Sequence, residues 1–212
     1  MSAFLQCALS AAGGYLLGAV PVGYLVARAN GVNIFEHGSK NPGATNVKRV
    51  VGGFAGNLTF ALDALKGALA ARWLHLASLA GAECVNREQL PAAAVAGLAG
   101  AMLGHSFSVF TGFRGGKGVA TAAGGLIVLL PVPTIIALAV WGVVFKASLY
   151  VSLASMVAAL TLVAGSWWPG TPLGYSILTT CMGALVILRH RANIARLAAG
   201  TEHKFERKKP GA

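Results

Sequence analysis

The sequence predicts an all-α integral membrane protein with seven transmembrane helices, two of them short. Three observations carry this prediction: 56% of residues are hydrophobic and only 11% charged, the apolar residues gather into seven runs, and the cations cluster between alternate runs. Soluble domains carry roughly 25% charged residues, so a composition this poor in charge belongs to a chain solvated by lipid. The mean hydropathy of +0.68 agrees.

The runs fall at about 4–27, 53–73, 91–110, 119–131, 133–147, 149–167 and 171–188. A bilayer core of ~30 Å asks for about 20 helical residues, and the fourth and fifth runs fall short of that. Pro131 and Pro133 divide those two runs, so the competing reading is one long kinked span across 119–147. Charge decides between them. With seven spans, the connections near 28–50, 105–118 and 146–148 share one side with the carboxyl tail. That side holds Arg28, Lys40, Lys48, Arg49, Arg114, Lys117, Lys146, Arg189, Arg191, Arg196, Lys204, Arg207, Lys208 and Lys209. These are fourteen of the seventeen basic residues, leaving Lys66, Arg72 and Arg87 elsewhere. Six spans would set Lys146 and the basic tail opposite the first two basic loops, against the positive-inside rule. The expectation is therefore a single membrane domain over residues 1–212, amino terminus outside and carboxyl terminus cytoplasmic.

Local features fit this scheme. No charge precedes Arg28, so the first run lacks the basic n-region of a signal peptide and reads as a helix that stays. Residues 118–130 would reach only about 20 Å as a helix. The loop before them should then start below the interface, in a protein-lined pocket. Trp167 and Trp168, followed by Pro169 and Gly170, suit an outer interfacial turn. Cys7, Cys84 and Cys181 form an odd, scattered set without C-x-x-C and read as packing residues. A net charge of +11 would raise nucleic acid as a partner for a soluble chain. Here the basic residues are not interleaved with aromatics, so a cytoplasmic membrane face and anionic substrates are the expected partners.

Three polar, glycine-bearing clusters fall on the side assigned to the cytoplasm. HGSKNPGATNVKR, residues 37–49, gathers Ser39, Asn41, Thr45, Asn46, Lys48 and Arg49 among Gly38, Pro42 and Gly43. GHSFSVFTGFRGGKGVAT, residues 104–121, looks like a nucleotide loop but is not one. The P-loop needs G-x-x-x-x-G-K-[ST]. Here Lys117 follows Gly116, but Thr111 stands five before Gly116 and Gly118 follows Lys117. RHRANIARLAAGTE, residues 189–202, spaces His190, Asn193 and Arg196 three apart, which places them on one helix face.

Topology anchoring and turn formation account for part of the charge and glycine. They do not account for the concentration of Ser, Asn, Thr and His beside the cations. Successive glycine N–H groups can form an anion-binding nest, so the clusters read as a donor-rich, acid-poor site for phosphate or another anion. That side offers only Glu36, Glu202 and Glu206 as acids, which disfavours a carboxylate-bound metal. No cysteine lies in any cluster to serve as a nucleophile. A histidine with an acid five residues on is also missing: Pro42, Phe110 and Ala195 stand five beyond His37, His105 and His190. The expected catalyst works by positioning and charge neutralisation, with no metal or cofactor. Asp63 and Lys66 lie three apart in the second run and can share a helix face. They suit either a structural pair lining the pocket or a transporter's charge pair.

The three clusters together resemble the bacterial acylphosphate-dependent glycerol-3-phosphate acyltransferase family (PlsY). That family carries G-S-x-N-x-G-x-T-N-x-x-R, then G-H-x-F-x-x-F-x-x-F-K-G-G-K-G-V-A-T, then R-H-x-x-N-I-x-R-L-x-x-G-x-E. This chain reads GSKNPGATNVKR, GHSFSVFTGFRGGKGVAT and RHRANIARLAAGTE, in the same order and at similar intervals. Arg114 stands where lysine is commoner, and Ser108 where proline is frequent. The resemblance implies a seven-helix enzyme of the bacterial inner membrane with its active site on the cytoplasmic face. It would move a fatty acyl group from acyl phosphate to the 1-hydroxyl of sn-glycerol 3-phosphate, giving lysophosphatidic acid and phosphate in phospholipid synthesis.

By the same resemblance Ser39, Arg49, Lys117, His190 and Asn193 are the catalytic residues. Arg49 and Lys117 would hold phosphates, helped by backbone N–H groups of Gly115, Gly116 and Gly118. Gly38, Asn41, Gly43, Thr45, Asn46, His105, Arg114, Arg196 and Glu202 complete the substrate-binding set, with Glu202 a brace for a basic residue. His190 either takes the hydroxyl proton or orients the acceptor while a substrate phosphate takes it; orientation is the reading adopted. A small anion or phosphate transporter is the main alternative, although no inverted repeat is visible. A lipid-binding membrane subunit is a third. The sequence leaves the oligomeric state open, a monomer included.

Overall fold

The protein's computed structural model describes residues 1–82 and 85–205. Cys84, Glu206, Arg207, Lys208 and Lys209, used above, lie outside the described residues. Within them every regular element is helical. The order is α1 (Ala3–Ala19), α2 (Val22–Ala29), α3 (Ala44–Val50), α4 (Gly53–Leu79), α5 (Leu90–Ser106), α6 (Val119–Leu129), α7 (Pro131–Ser148), α8 (Val151–Ser166), α9 (Leu173–Arg189) and α10 (Arg191–Ala198).

Each of the seven apolar runs thus carries a helix, with two adjustments. The first run is two helices, broken at Pro21, whose ring and missing N–H interrupt the ladder. The carbonyls freed at the break find partners: Ser108 Oγ donates to Ala19 O (2.5 Å) and Lys66 Nζ to Val20 O (3.0 Å). Ser108, the departure from proline noted above, therefore ties the second cluster to the end of α1. The fourth and fifth runs carry separate helices. Leu130 caps α6, and Pro131 opens α7 at the first helical position, where its missing N–H costs nothing.

Among the described residues, three stretches are long and apolar enough by themselves to cross a bilayer: Ala3–Ala29, Arg87–Thr111 and Pro131–Ser148. The bent pair α9–α10, with 54° between its helices, makes a fourth if read as one span. Helix α4 has 27 residues but carries Asp63, Lys66 and Arg72, while α6 and α8 are short and apolar. Side chains such as Phe4, Leu16, Val132, Ile135, Leu160 and Leu173 lie exposed, as lipid contact requires. Trp167 and Trp168 are both exposed at the α8–α9 turn.

Without a hydrophobic drive between helices in lipid, association rests on close packing through small residues. At the α4–α6 crossing a Cβ on Gly124 would fall 1.9 Å from Ala64 O, so only glycine allows this approach. Leu98, Met102, Leu126, Met182 and Val186 fill the core between α5, α6 and α9. That packing presents the amino end of α6, the end of α5, α3 and α10 to one shared cavity.

Candidate active site

All three polar clusters line this cavity, whose volume is about 210 Å³. Ser39, Asn41, Gly43, Thr45, Asn46 and Arg49 come from the first; His105, Lys117 and Gly118 from the second; His190, Asn193, Arg196 and Glu202 from the third. Asp63 joins them from α4.

The first cluster is a loop folded around one amide. Asn46 Oδ1 accepts the Ser39 N–H (2.9 Å), while Nδ2 donates to His37 O (3.1 Å) and Asn41 O (3.0 Å). Asn46 is buried, and these bonds commit its amide to shaping the loop that presents Ser39. Gly38 stands behind the cavity wall, against that same amide. Asn41 Oδ1 accepts the Gly43 N–H (2.9 Å), fixing the entry to α3 and so the base of Arg49.

In the second cluster the expected cradle is only partly available. The Gly116 N–H donates to His105 O (3.0 Å), so it holds the loop instead of pointing at an anion. A Cβ on Gly116 would sit 2.2 Å from His105 Nε2, which explains the glycine by close approach. Arg189, which the sequence reading left out of the site, donates to Gly116 O (3.1 Å) and Gly115 O (2.8 Å). Arg114 does not reach the cavity; its guanidinium lies 4.3 Å from the centre of the Phe35 ring. The loop ends with Gly118 in the left-handed region (φ 80°), which glycine adopts without strain and which turns the chain into α6. Gly118, Val119 and Ala120 line the cavity, so the amino end of α6 faces it. The first N–H groups of a helix have no intrahelical partner, and the helix dipole favours an anion there.

The third cluster turns on the bend between α9 and α10, where His190 stands. His190 Nδ1 lies 2.8 Å from Val186 O. A carbonyl only accepts, so Nδ1 carries the proton in the neutral ring and Nε2 keeps its lone pair. Burial, and then the Lys117 charge, lower the His190 pKa to about 4, leaving it neutral at pH 7. Lys117 Nζ donates to Asn193 Oδ1 (2.6 Å), and Asn193 Nδ2 donates to Glu202 Oε1 (2.6 Å). Glu202 also accepts from Ser152 Oγ (2.8 Å) and, at Oε2, from Arg196 Nε (2.7 Å). Burial works against ionised Glu202, but the bonds from Asn193, Ser152 and Arg196 outweigh it and hold its pKa below the ordinary value. Lys117 is pulled down to about 8, first by burial and then by Arg196, Arg49 and Arg189, with Glu202 opposing.

Behind this face, Asp63 Oδ1 sits 2.8 Å from Lys66 Nζ and 3.5 Å from His105 Nδ1. Lys66 itself points to the α1–α2 break and does not line the cavity. The opposite wall is apolar: Phe60, Ala123, Leu138 and Trp141. A second cavity of about 60 Å³ continues from it past Leu126, Ala137, Ala159, Leu162 and Met182. The whole is a donor-rich chamber joined to an apolar slot.

Known proteins resemble this chain in sequence and fold. A family profile described as Glycerol-3-phosphate acyltransferase covers residues 8–200. The chain belongs to this family. A glycerol-3-phosphate acyltransferase of Endomicrobium trichonymphae is 42% identical over 192 residues, covering 90% of this chain and 92% of that one. One of Rubrobacter xylanophilus is 43% identical over 192 residues, covering 91% and 92%. Crystal structures of PlsY (YgiH), an integral membrane glycerol 3-phosphate acyltransferase, share the fold. The glycerol 3-phosphate form has a TM-score of 0.83 at 36% identity, covering 97% of this chain and 96% of its own. The lysophosphatidic acid form has 0.81 at 36%, covering 94% and 95%. The family profile spans the three clusters as far as Arg196, and the acyltransferase matches lend the transporter alternative no support.

Proposed function

We propose that this protein transfers a fatty acyl group from acyl phosphate to the 1-hydroxyl of sn-glycerol 3-phosphate, releasing lysophosphatidic acid and inorganic phosphate. The observation that carries this reading is the joining of a cationic chamber to an apolar slot within one chain. Glycerol 3-phosphate needs only the first, and an acyl phosphate needs both. Membership of the family, and the acceptor and product forms of the related PlsY, support the acceptor and the product of this reaction.

In this reading Lys117, Arg49 and the amino end of α6 hold phosphate groups, and the acyl chain lies along Leu138 and Trp141. The acceptor's O1 attacks the acyl carbonyl carbon, the bond from that carbon to the phosphate oxygen breaks, and inorganic phosphate leaves. His190 Nε2 accepts a hydrogen bond from the 1-hydroxyl and orients it. A base with a pKa of about 4 is poorly matched to taking a hydroxyl proton near neutrality. The proton passes instead to a substrate phosphate oxygen, whose second pKa is about 6. Ser39, at the cavity mouth, offers its hydroxyl to the same phosphates. The cations and the helix end also oppose the oxyanion that develops during attack. Acyl phosphate is a mixed anhydride with a good leaving group, so neither a metal nor a strong base is required.

The proposed topology is seven spans in the bacterial inner membrane, amino terminus outside and the site cytoplasmic. The 2.6 Å contact between Lys117 and Asn193 supports it. Two residues can meet at one face only if an even number of crossings separates them, and α6 to α9 supply four. One chain provides every residue of the cavity, so a monomer suffices. The test is purified protein with labelled glycerol 3-phosphate and palmitoyl phosphate, palmitoyl-CoA or palmitoyl carrier protein. Lysophosphatidic acid should form from palmitoyl phosphate. None from that donor would sink the proposal, and product from palmitoyl-CoA alone would keep the reaction and overturn the donor.

A further inference from the structure

Arg49 is a long cation on a seven-residue helix, and α3 alone does not aim it. Its side chain is exposed, so free rotation would be its default and costly to lose. Two restraints come from far along the chain. Arg49 Nη2 donates to His203 O (3.1 Å), and its guanidinium lies 4.9 Å from the centre of the Phe205 ring. Both residues belong to the segment that follows Glu202.

That segment is tied down at both ends. Glu202 is buried and accepts from Ser152, Asn193 and Arg196. The Phe205 N–H donates to Leu149 O (3.0 Å), at the turn between α7 and α8. The Phe205 ring meets Phe145 edge-on at 5.7 Å, and Phe145 stacks on Trp141 at 5.0 Å. Trp141 is part of the apolar wall. A continuous series, Trp141–Phe145–Phe205–Arg49, therefore runs from the wall proposed for the acyl chain to a cation proposed for phosphate. Lys204 adds a contact over the Tyr150 ring at 5.1 Å.

We propose that residues 203–205 form a strap from the α7–α8 turn to Arg49, and that Phe205 is a positioning residue that aims Arg49 at a substrate phosphate. The strap spans the gap between α3 and the α7–α8 turn. Its carbonyl and ring hold the guanidinium without neutralising it, because neither carries a negative charge. A carboxylate at either position would have competed with the phosphate; a carbonyl and an aromatic face orient the cation and leave its charge for the substrate. The inference rests on the phosphate-binding reading of Arg49.

The test is equilibrium binding of glycerol 3-phosphate, and separately of inorganic phosphate, to the purified full-length protein. The variants are Arg49→Ala, Phe205→Ala, Phe205→Leu, Phe205→Tyr and the double variant Arg49→Ala/Phe205→Ala. Phe205→Ala should weaken binding of at least one probe by about three- to five-fold. Tyrosine should restore it and leucine should not, since leucine keeps bulk but lacks the aromatic face. In the Arg49→Ala background Phe205→Ala should cost nothing further, because no cation remains to be aimed. In turnover the loss should fall on KM more than on kcat. Unchanged binding in Phe205→Ala, restoration by leucine, or an equal loss in the Arg49→Ala background would each overturn the strap's role. If Arg49→Ala binds both probes like the wild type, the phosphate reading of Arg49 fails first and the strap with it. Should Phe205→Ala not fold, the comparison of tyrosine with leucine decides.

Discussion

Lys117 gives the sharpest test of the electrostatic reading. Burial and the neighbouring guanidinium groups lower its pKa from 10.5 to about 8. At pH 9 about nine-tenths of such a lysine is neutral, against about 3% of one at the ordinary value. If the ammonium holds substrate phosphate, kcat/KM for glycerol 3-phosphate should fall above pH 8 by about tenfold per unit. The substrate adds no change of its own there, since its second phosphate pKa is about 6 and it stays dianionic. The kcat profile should break at higher pH, because a bound phosphate favours the charged lysine. Initial rates with palmitoyl phosphate from pH 6 to 9.5, corrected for spontaneous hydrolysis, read both limbs. In Lys117→Arg the limb near 8 should vanish, whatever the absolute rate. Unfolding driven by this lysine is not a rival explanation. A lysine with a lowered folded pKa holds fewer protons when folded than when unfolded between about 8 and 10.5. Its contribution to stability therefore rises with pH through that window while activity falls. A flat kcat/KM up to pH 9.5, or a limb that persists in Lys117→Arg, would refute the reasoning.

Two further outcomes follow from the same geometry. His190→Gln should keep measurable activity, since the amide oxygen can accept the 1-hydroxyl hydrogen bond that Nε2 accepts. A loss as complete as that of Lys117→Ala in the same assay would restore His190 as the base. Asp63→Asn should lower stability by about 3–5 kcal/mol, because it leaves Lys66 buried without its anion. Asp63→Asn/Lys66→Met should recover much of that in thermal melts. A double variant as unstable as the single one would mean that Asp63 serves more than its lysine.

The residues made some of this legible and hid the rest for identifiable reasons. Apolar runs marked where helices form, and the positions of Pro21 and Pro131 explain where two of them stop. The polar clusters announced their meeting because donors in an apolar chain stand out by type. The apolar wall did not announce itself: Leu138 and Trp141 look like any other residues of a lipid-facing run, and only packing separates the two. Residue type also misled at Arg114 and Gly116. Arg114 carries the charge a phosphate site wants but stacks on Phe35, and the Gly116 N–H is donated to His105. The partner of Arg114 is far away in sequence, and that of Gly116 lies at the other end of its own cluster. Arg189 was hidden in the opposite way, since a cation at the end of a span reads as an anchor, whereas here it clamps the Gly115–Gly116 carbonyls.

The placement of Glu202 explains how a site with so few acids stays charged and usable. Three cations, Lys117, Arg49 and Arg196, share the cavity, and their mutual repulsion adds to burial in pulling Lys117 down. Some negative charge must oppose this, or the lysine would hold its proton still less firmly. A carboxylate in direct contact with Lys117 would do so, but it would also occupy the position that a phosphate oxygen needs. The chain places neutral Asn193 between them: Lys117 donates to the amide oxygen and Glu202 accepts from the amide nitrogen. The carboxylate supports the ammonium through space while its own oxygens are filled by Asn193, Ser152 and Arg196. Lys117 thus keeps a charge that is supported by Glu202 but not spent on a direct ion pair with it. In the proposed reaction that condition would let positioned cations assist an acyl transfer whose leaving group is already good.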